Sequence, residues 1–199
     1  MIKLKKSKIF IIPILSIFFF ITSLFLFEFK WWLPREQLDF IPVFLLILTF
    51  IIFEIFALLI NLKILKSSIT LLKEQLVVKS LQEKNILIMC VVFPLTMLFE
   101  EVLFRLYFFT FVFTHFGFFM AFVLGTLVFS FYHIHIWFQF QNKRVLISFI
   151  LISALLGMLL NITLLNLGLI ACIFVHGILV LGLFYDIHLR INHNYQNLY

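Results

Sequence analysis

The chain has 199 residues, 64% of them hydrophobic and 12% charged, against roughly half and a quarter in soluble domains. A fold with water as its main solvent is excluded, and a single compact domain in a bilayer is expected. The net charge of +6 does not point to nucleic acid, because most Lys flank apolar segments, where the cytoplasmic-side bias of basic residues accounts for them.

Six segments reach the roughly 20 apolar residues needed to cross the hydrocarbon core. They run Ile9 to Phe27, Phe40 to Leu62, Ile86 to Phe113, Phe118 to Phe138, Val145 to Leu160 and Leu167 to Tyr185. The expected fold is all-α: a polytopic membrane helix bundle of about six spans. The first span follows a Lys-rich start, but its apolar stretch is too long for a signal peptide and no small-x-small site follows, so it reads as a retained anchor. Lys3, Lys5, Lys6 and Lys8, then Lys63, Lys66, Lys73, Lys79 and Lys84, then Lys143 and Arg144, and finally Arg190 fall on one side of such a bundle. The opposite connections hold only Lys30 and Arg35. Both termini are therefore expected in the cytoplasm, with Trp31 and Trp32 as an aromatic belt at the outer interface. Between the second and third spans, Leu65, Ile69, Leu72 and Leu76 recur at helical spacing, which predicts an amphipathic helix on the inner membrane surface. Cys90 and Cys172 lie in apolar runs and read as small buried hydrophobes, with no disulfide framework.

Ionisable side chains deep in a bilayer cost at least about 2.5–3.5 kcal/mol each on insertion scales, so each needs a partner, a cavity or a function. They are Glu54 in the second span, Glu100, Glu101 and Arg105 in the third, His133 and His135 in the fourth, and His176 in the sixth. On an ideal helix Glu101 and Arg105 lie about 40° apart and can pair, while Glu100 is turned about 100° away from Glu101. Glu101 is expected to stay ionised, and Glu100 is left to take a proton from water. If the third and fourth spans form a hairpin turning near Phe116 and Gly117, residues whose numbers sum to about 233 share a depth. Glu100 and His133 do, and together they can hold one water as a nucleophile. Phe129, one turn from His133, would orient its ring. His135 points to the opposite face and reads as structural. His176 is either a hydrogen-bond donor to an oxyanion or a buried histidine bonded to a backbone carbonyl. Counted from its own turn, it lies shallower than Glu100 and joins the site only if the last outer loop is sunk into the protein.

These residues together resemble the CAAX protease and bacteriocin-processing family of intramembrane glutamic endopeptidases, also called the Abi family. The motif Glu-Glu-x-x-x-Arg reads Glu100-Glu101-Val102-Leu103-Phe104-Arg105, and Phe-x-x-x-His reads Phe129-Ser130-Phe131-Tyr132-His133. A third motif, His followed four residues later by Asn or Asp, reads His176-Gly177-Ile178-Leu179-Val180, with the His present and the amide replaced by Val180. The resemblance covers about the last 100 residues and implies Glu100 as general base, His133 as its water-positioning partner and His176 as oxyanion donor, with Glu101, Arg105 and Phe129 supporting. It implies a metal-free mechanism without cofactor, and cleavage of a membrane-associated peptide or protein in the cytoplasmic half of the bilayer. Losing one oxyanion donor costs on the order of a hundredfold in rate, and Asn161, Thr163 or Asn166 are substitutes if the outer loop dips inward. Residues 1–85 then form an N-terminal two-span region with the interfacial helix, 86–190 the catalytic core of four spans, and 191–199 a cytoplasmic tail.

The composition looks bacterial, which favours bacteriocin or signal-peptide maturation or self-immunity over prenyl-tail processing. Three other readings stay open. One is a membrane scaffold or bacteriocin immunity protein that cleaves little, as Val180 permits. Another is a zinc-dependent membrane protease, since two His and one Glu make a catalytic zinc set. The third is a proton-coupled transporter relaying through Glu54, Glu100 and His133, which the lack of inverted repeats and broken helices disfavours.

Overall fold

In an apolar solvent every backbone N–H and C=O must be paired within the chain, and an apolar run satisfies that demand as a helix. The computed structural model describes residues 11–26, 31–32, 40–60 and 68–196, and all regular structure among the described residues is helical. Helix α1 is Ile11–Leu26 and α2 is Phe40–Ile60. A 3-10 turn, Ile69–Glu74, leads into α3, Leu76–Glu83. Two stretches, Ile88–Phe140 and Lys143–Asn192, are long and apolar enough to cross a membrane.

Each of these stretches is divided by a glycine. Gly117 (φ 80°, ψ 177°) and Gly168 (φ 77°, ψ 178°) leave helical geometry inside otherwise continuous helix. We therefore name 88–116 α4, 118–132 α5, His135–Phe140 α6, 143–167 α7 and 169–196 α8. The chain folds back at both glycines. Phe104 meets Phe129 with ring centroids 5.3 Å apart, and Phe109 lies against Gly125, pairs almost equidistant in sequence from Gly117. Across the second turn, Cys172 Sγ donates to the Leu160 carbonyl at 3.3 Å. That backbone region is essentially reserved for glycine, at a cost of about 1–3 kcal/mol for other residues. Gly117→Ala, though its Cβ would meet nothing within 4 Å, is expected to lower stability by that amount, about 1–3 kcal/mol, read from the unfolding midpoint of the detergent-solubilised protein.

Helix α4 is irregular on either side of its buried carboxylates. It begins with a π-helical turn, Ile88–Val92, continues as α-helix through Phe93–Glu101 and widens again to π-helix over Val102–Phe109. Pro94 cannot donate to the carbonyl four residues back and crowds it, which the widened turn before it relieves. The Thr110 hydroxyl donates to the Arg105 carbonyl, five residues back, at 3.1 Å.

The core lies between α4, α5, α7 and α8, with α1 and α2 outside it. Phe53 and Ala57 of α2 are buried against it, and Thr22 of α1 is hydrogen-bonded to the Tyr107 hydroxyl at 2.6 Å. Bulky apolar side chains such as Phe25, Phe119 and Ile178 stand exposed, the outer surface of a membrane protein rather than of one dissolved in water.

Several sequence expectations are corrected. The helix expected over Phe118 to Phe138 is broken after Tyr132, because His133 (φ −73°, ψ 1°) leaves helical geometry and α6 restarts at His135. The last helix runs on to Gln196, past Tyr185. The single amphipathic helix is two pieces. Gln75 is extended (ψ 135°) and its side-chain oxygen caps Val77 and Val78, so the buried set becomes Ile69, Leu72, Val77 and Val78 while Leu76 is exposed. Leu65 falls outside the described residues. Trp32 is buried against Phe20, inside the protein rather than on its surface, while Trp31 is half-buried and packs on Phe113. Cys172 is buried as expected, whereas Cys90 is exposed.

Candidate active site

Four buried polar side chains from α4 and α8 meet in the core. Glu101 is fully buried and both carboxylate oxygens are engaged: Oε2 accepts from Arg105 Nε at 3.0 Å, and Oε1 from His176 Nδ1 at 2.8 Å. The spacing expectation of a Glu101–Arg105 pair thus stands in the structure, and its second partner comes from 75 residues away in sequence. His176 reaches this depth because the Gly168 turn lets α8 re-enter the core directly, with Leu169 and Cys172 already buried.

Glu100 differs from its neighbour. It is 6% exposed, makes no hydrogen bond among the described residues, and has His176 Nε2 3.8 Å from Oε2. With Nδ1 committed to Glu101, the other ring nitrogen of His176 faces Glu100. Neighbouring carboxylates on one helix are therefore divided by a single imidazole, one held by two donors and the other left with free lone pairs.

Phe129 is the spacer of the cluster. The Arg105 guanidinium carbon sits 4.6 Å over its ring, and the rings of His133 and His176 meet it edge-on at 5.2 and 5.7 Å. His133 is half-buried at the end of α5. Its Nδ1 lies 3.0 Å from the Phe129 carbonyl, and since a carbonyl only accepts, Nδ1 carries the proton and Nε2 of the neutral ring presents a lone pair. No hydrogen bond or ion pair among the described residues joins His133 to Glu100. His135 was expected on the opposite face, yet its ring is 5.9 Å from that of His133, because the chain has left helical geometry between them.

Asn161 escaped the sequence reading as part of the cluster, having been considered only as a replacement donor. Its Oδ1 accepts from Arg105 Nη1 at 3.0 Å. Thr163 bonds its own helix at Leu159 and Asn166 its own at Ile162, so neither reaches the site. Val180, one turn beyond His176, packs with the apolar core. Glu54 stands exposed on α2 and shares no hydrogen bond or ion pair with the cluster. Among the described residues no three His, Cys, Asp or Glu side chains are grouped as metal ligands.

No curated protein and no solved structure matches the chain. A family model does: the type II CAAX prenyl endopeptidase Rce1-like family matches residues 82–182, half of the chain, which include Glu100, Glu101, Arg105, Phe129, His133 and His176. With its apolar helices and this match over the segment that carries the buried cluster, the chain belongs to the Rce1-like family of CAAX endopeptidases, a family of membrane proteases.

Proposed function

We propose that the protein is an intramembrane glutamic peptidase that cleaves a membrane-associated peptide or protein at the Glu100–His176 site. The observation that carries this reading is the difference between two adjacent buried carboxylates. Glu101 is saturated, and Glu100 keeps acceptor capacity beside the second ring nitrogen of His176.

In this mechanism a water held between Glu100 and His133 Nε2 attacks the scissile carbonyl carbon. Its proton passes to Glu100 as the new C–O bond forms. The carbonyl oxygen, now an oxyanion, is met by the Nε2 proton of His176, whose ring in this mechanism carries both protons as an imidazolium, held at Nδ1 by the Glu101 carboxylate. Collapse breaks the C–N bond, and Glu100 returns the proton to the leaving amine. Val180 supplies no second donor to the oxyanion, which lowers the rate without removing the nucleophile. Val180→Asn is expected to raise kcat about tenfold or more, measured on the same peptide.

Six spans with both termini in the cytoplasm, residues 1–85 as an N-terminal region and 86–190 as the catalytic core belong to this reading. The basic residues clustered between alternate spans support the orientation. The family name supplies a prenylated C-terminal tail as one substrate class, and bacteriocin or signalling precursors are the other. The test is hydrolysis by purified protein, after stringent chelation, of a farnesylated CAAX peptide, the same peptide without its prenyl group and a double-glycine leader peptide, each against a Glu100→Gln control. Cleavage lost on chelation and restored by zinc would replace the glutamic mechanism with a metal one. Cleavage of none of them, with the protein folded, would favour a scaffold or immunity role.

A further inference from the structure

The polar network does not end at Arg105. Asn161, fully buried on α7, uses its whole amide. Oδ1 accepts from Arg105 Nη1 at 3.0 Å, while Nδ2 donates to the Phe122 carbonyl at 3.2 Å and to Thr126 Oγ1 at 3.1 Å, both on α5. The orientation of the amide is unambiguous. Reversing it would set an NH2 group against a guanidinium and an oxygen against a carbonyl. Its seat is made by absent side chains. A Cβ on Gly125 would fall 3.4 Å from Asn161 Nδ2 and 3.2 Å from Phe109, and one on Gly157, a turn before Asn161, would fall 3.2 Å from the Phe129 ring. Glycines on the two facing helices thus admit the amide on one side and Phe129 on the other.

Followed link by link, the bonds run from α5 through Asn161 on α7 to Arg105 and Glu101 on α4, and on to His176 on α8. Arg105 has a third nitrogen, Nη2, that is buried with no hydrogen-bond partner among the described residues, and its guanidinium lies over the Phe129 ring. The guanidinium is therefore held in its plane by Glu101 on one edge and Asn161 on another, and by little else that is directional.

We propose that Asn161 is a positioning residue for the peptidase site: it fixes the Arg105 guanidinium, through it the Glu101 carboxylate, and through that the ring of His176 facing Glu100. This rests on the reading of Glu100 as general base and His176 as oxyanion donor. Without Asn161, Arg105 can swing towards Phe129 and take Glu101 with it, and His176 loses the acceptor that sets its ring.

The test is Asn161→Leu, with Thr126→Val as the milder variant that loosens the amide without removing it. Each is compared with wild type on whichever of the three peptides is cleaved best. Asn161→Leu is expected to lower kcat per folded molecule about tenfold to a hundredfold with KM nearly unchanged, and Thr126→Val to lower it a few-fold. In a cycle with Glu101→Gln, the double variant is expected to be no slower than the slower single, because both act through one carboxylate. Multiplicative losses, or an unchanged kcat in Asn161→Leu while Glu100→Gln is dead, would overturn the positioning role and leave the peptidase reading intact. Retained turnover in Glu100→Gln would instead overturn the peptidase reading. A readout independent of turnover is the ring N–H signal of His176 in nitrogen-15 spectra, assigned by its loss in His176→Gln. It is expected to move in Asn161→Leu towards its position in Glu101→Gln, and a signal that stays at its wild-type position would overturn the proposal.

Discussion

Glu100→Gln is expected to lower kcat for peptide hydrolysis by about a thousandfold, within the range general-base groups contribute, and to leave the unfolding midpoint close to wild type. The side chain makes no hydrogen bond among the described residues, and its one charged contact is the 3.8 Å approach of His176, so an isosteric amide removes little that holds the fold. It does remove the carboxylate that, in the proposed mechanism, takes the proton from water. Glu101→Gln should behave in the opposite proportion. Its two oxygens serve Arg105 and His176 at 3.0 and 2.8 Å, and an amide can accept from one of them only by presenting an NH2 to the other. Stability is expected to fall markedly, by about 1–3 kcal/mol for the donor left unmade, with a smaller loss of kcat than in Glu100→Gln. Initial rates and unfolding midpoints of the two variants, measured side by side, check both halves. Equal losses of rate would mean that the two carboxylates are one functional unit and that the division of roles is wrong.

The parts of this site legible in the sequence were those governed by local geometry. The four-residue interval between Glu101 and Arg105 specifies a pair on one helix, and the glycine after Phe116 marks a fold-back that brings Phe104 opposite Phe129. What was not legible depended on departures from the ideal helix or on which of several faces α7 and α8 would present. The π-helical widening around Arg105, the exit from helix at His133 and the break at Gln75 each shift which residue faces inward by about one position. That is why His135 and Leu76 were misplaced. The His176 link to Glu101 joins residues 75 apart, and nothing in the interval between them encodes it. By its distance from its own turn His176 reaches Glu100 only if that turn is sunk into the protein, and the turn at Gly168 is: Leu169 and Cys172, which follow it, are already buried. Asn161 carried a detectable signal, a polar amide in an apolar run preceded one turn earlier by glycine, but pairing it with Arg105 required knowing that α7 packs on both α4 and α5.

Arg105→Met is expected to be the most destabilising single change in the protein, by about 3–5 kcal/mol, the cost of leaving one member of a buried ion pair without its counter-charge. Arg105 and Glu101 are both fully buried, so solvent offers Glu101 no replacement, and Met matches the stem of Arg105 without its charge. Asn161 would lose its strongest donor as well. Adding Glu101→Leu to Arg105→Met is expected to restore most of the loss, because replacing a whole buried pair by apolar side chains of similar volume is often near neutral. Activity should not return with it, since His176 then has no carboxylate at Nδ1 to set its ring. Unfolding midpoints in detergent measure the first effect and kcat the second. A single variant as stable as wild type would mean that Arg105 is not the counter-charge of Glu101. Recovery of stability and turnover together would mean that the pair only fills space. A stable, inactive double variant is the result that separates the two roles of this network, with the ion pair holding α4 in register and the Glu101–His176 bond aiming the group that meets the substrate.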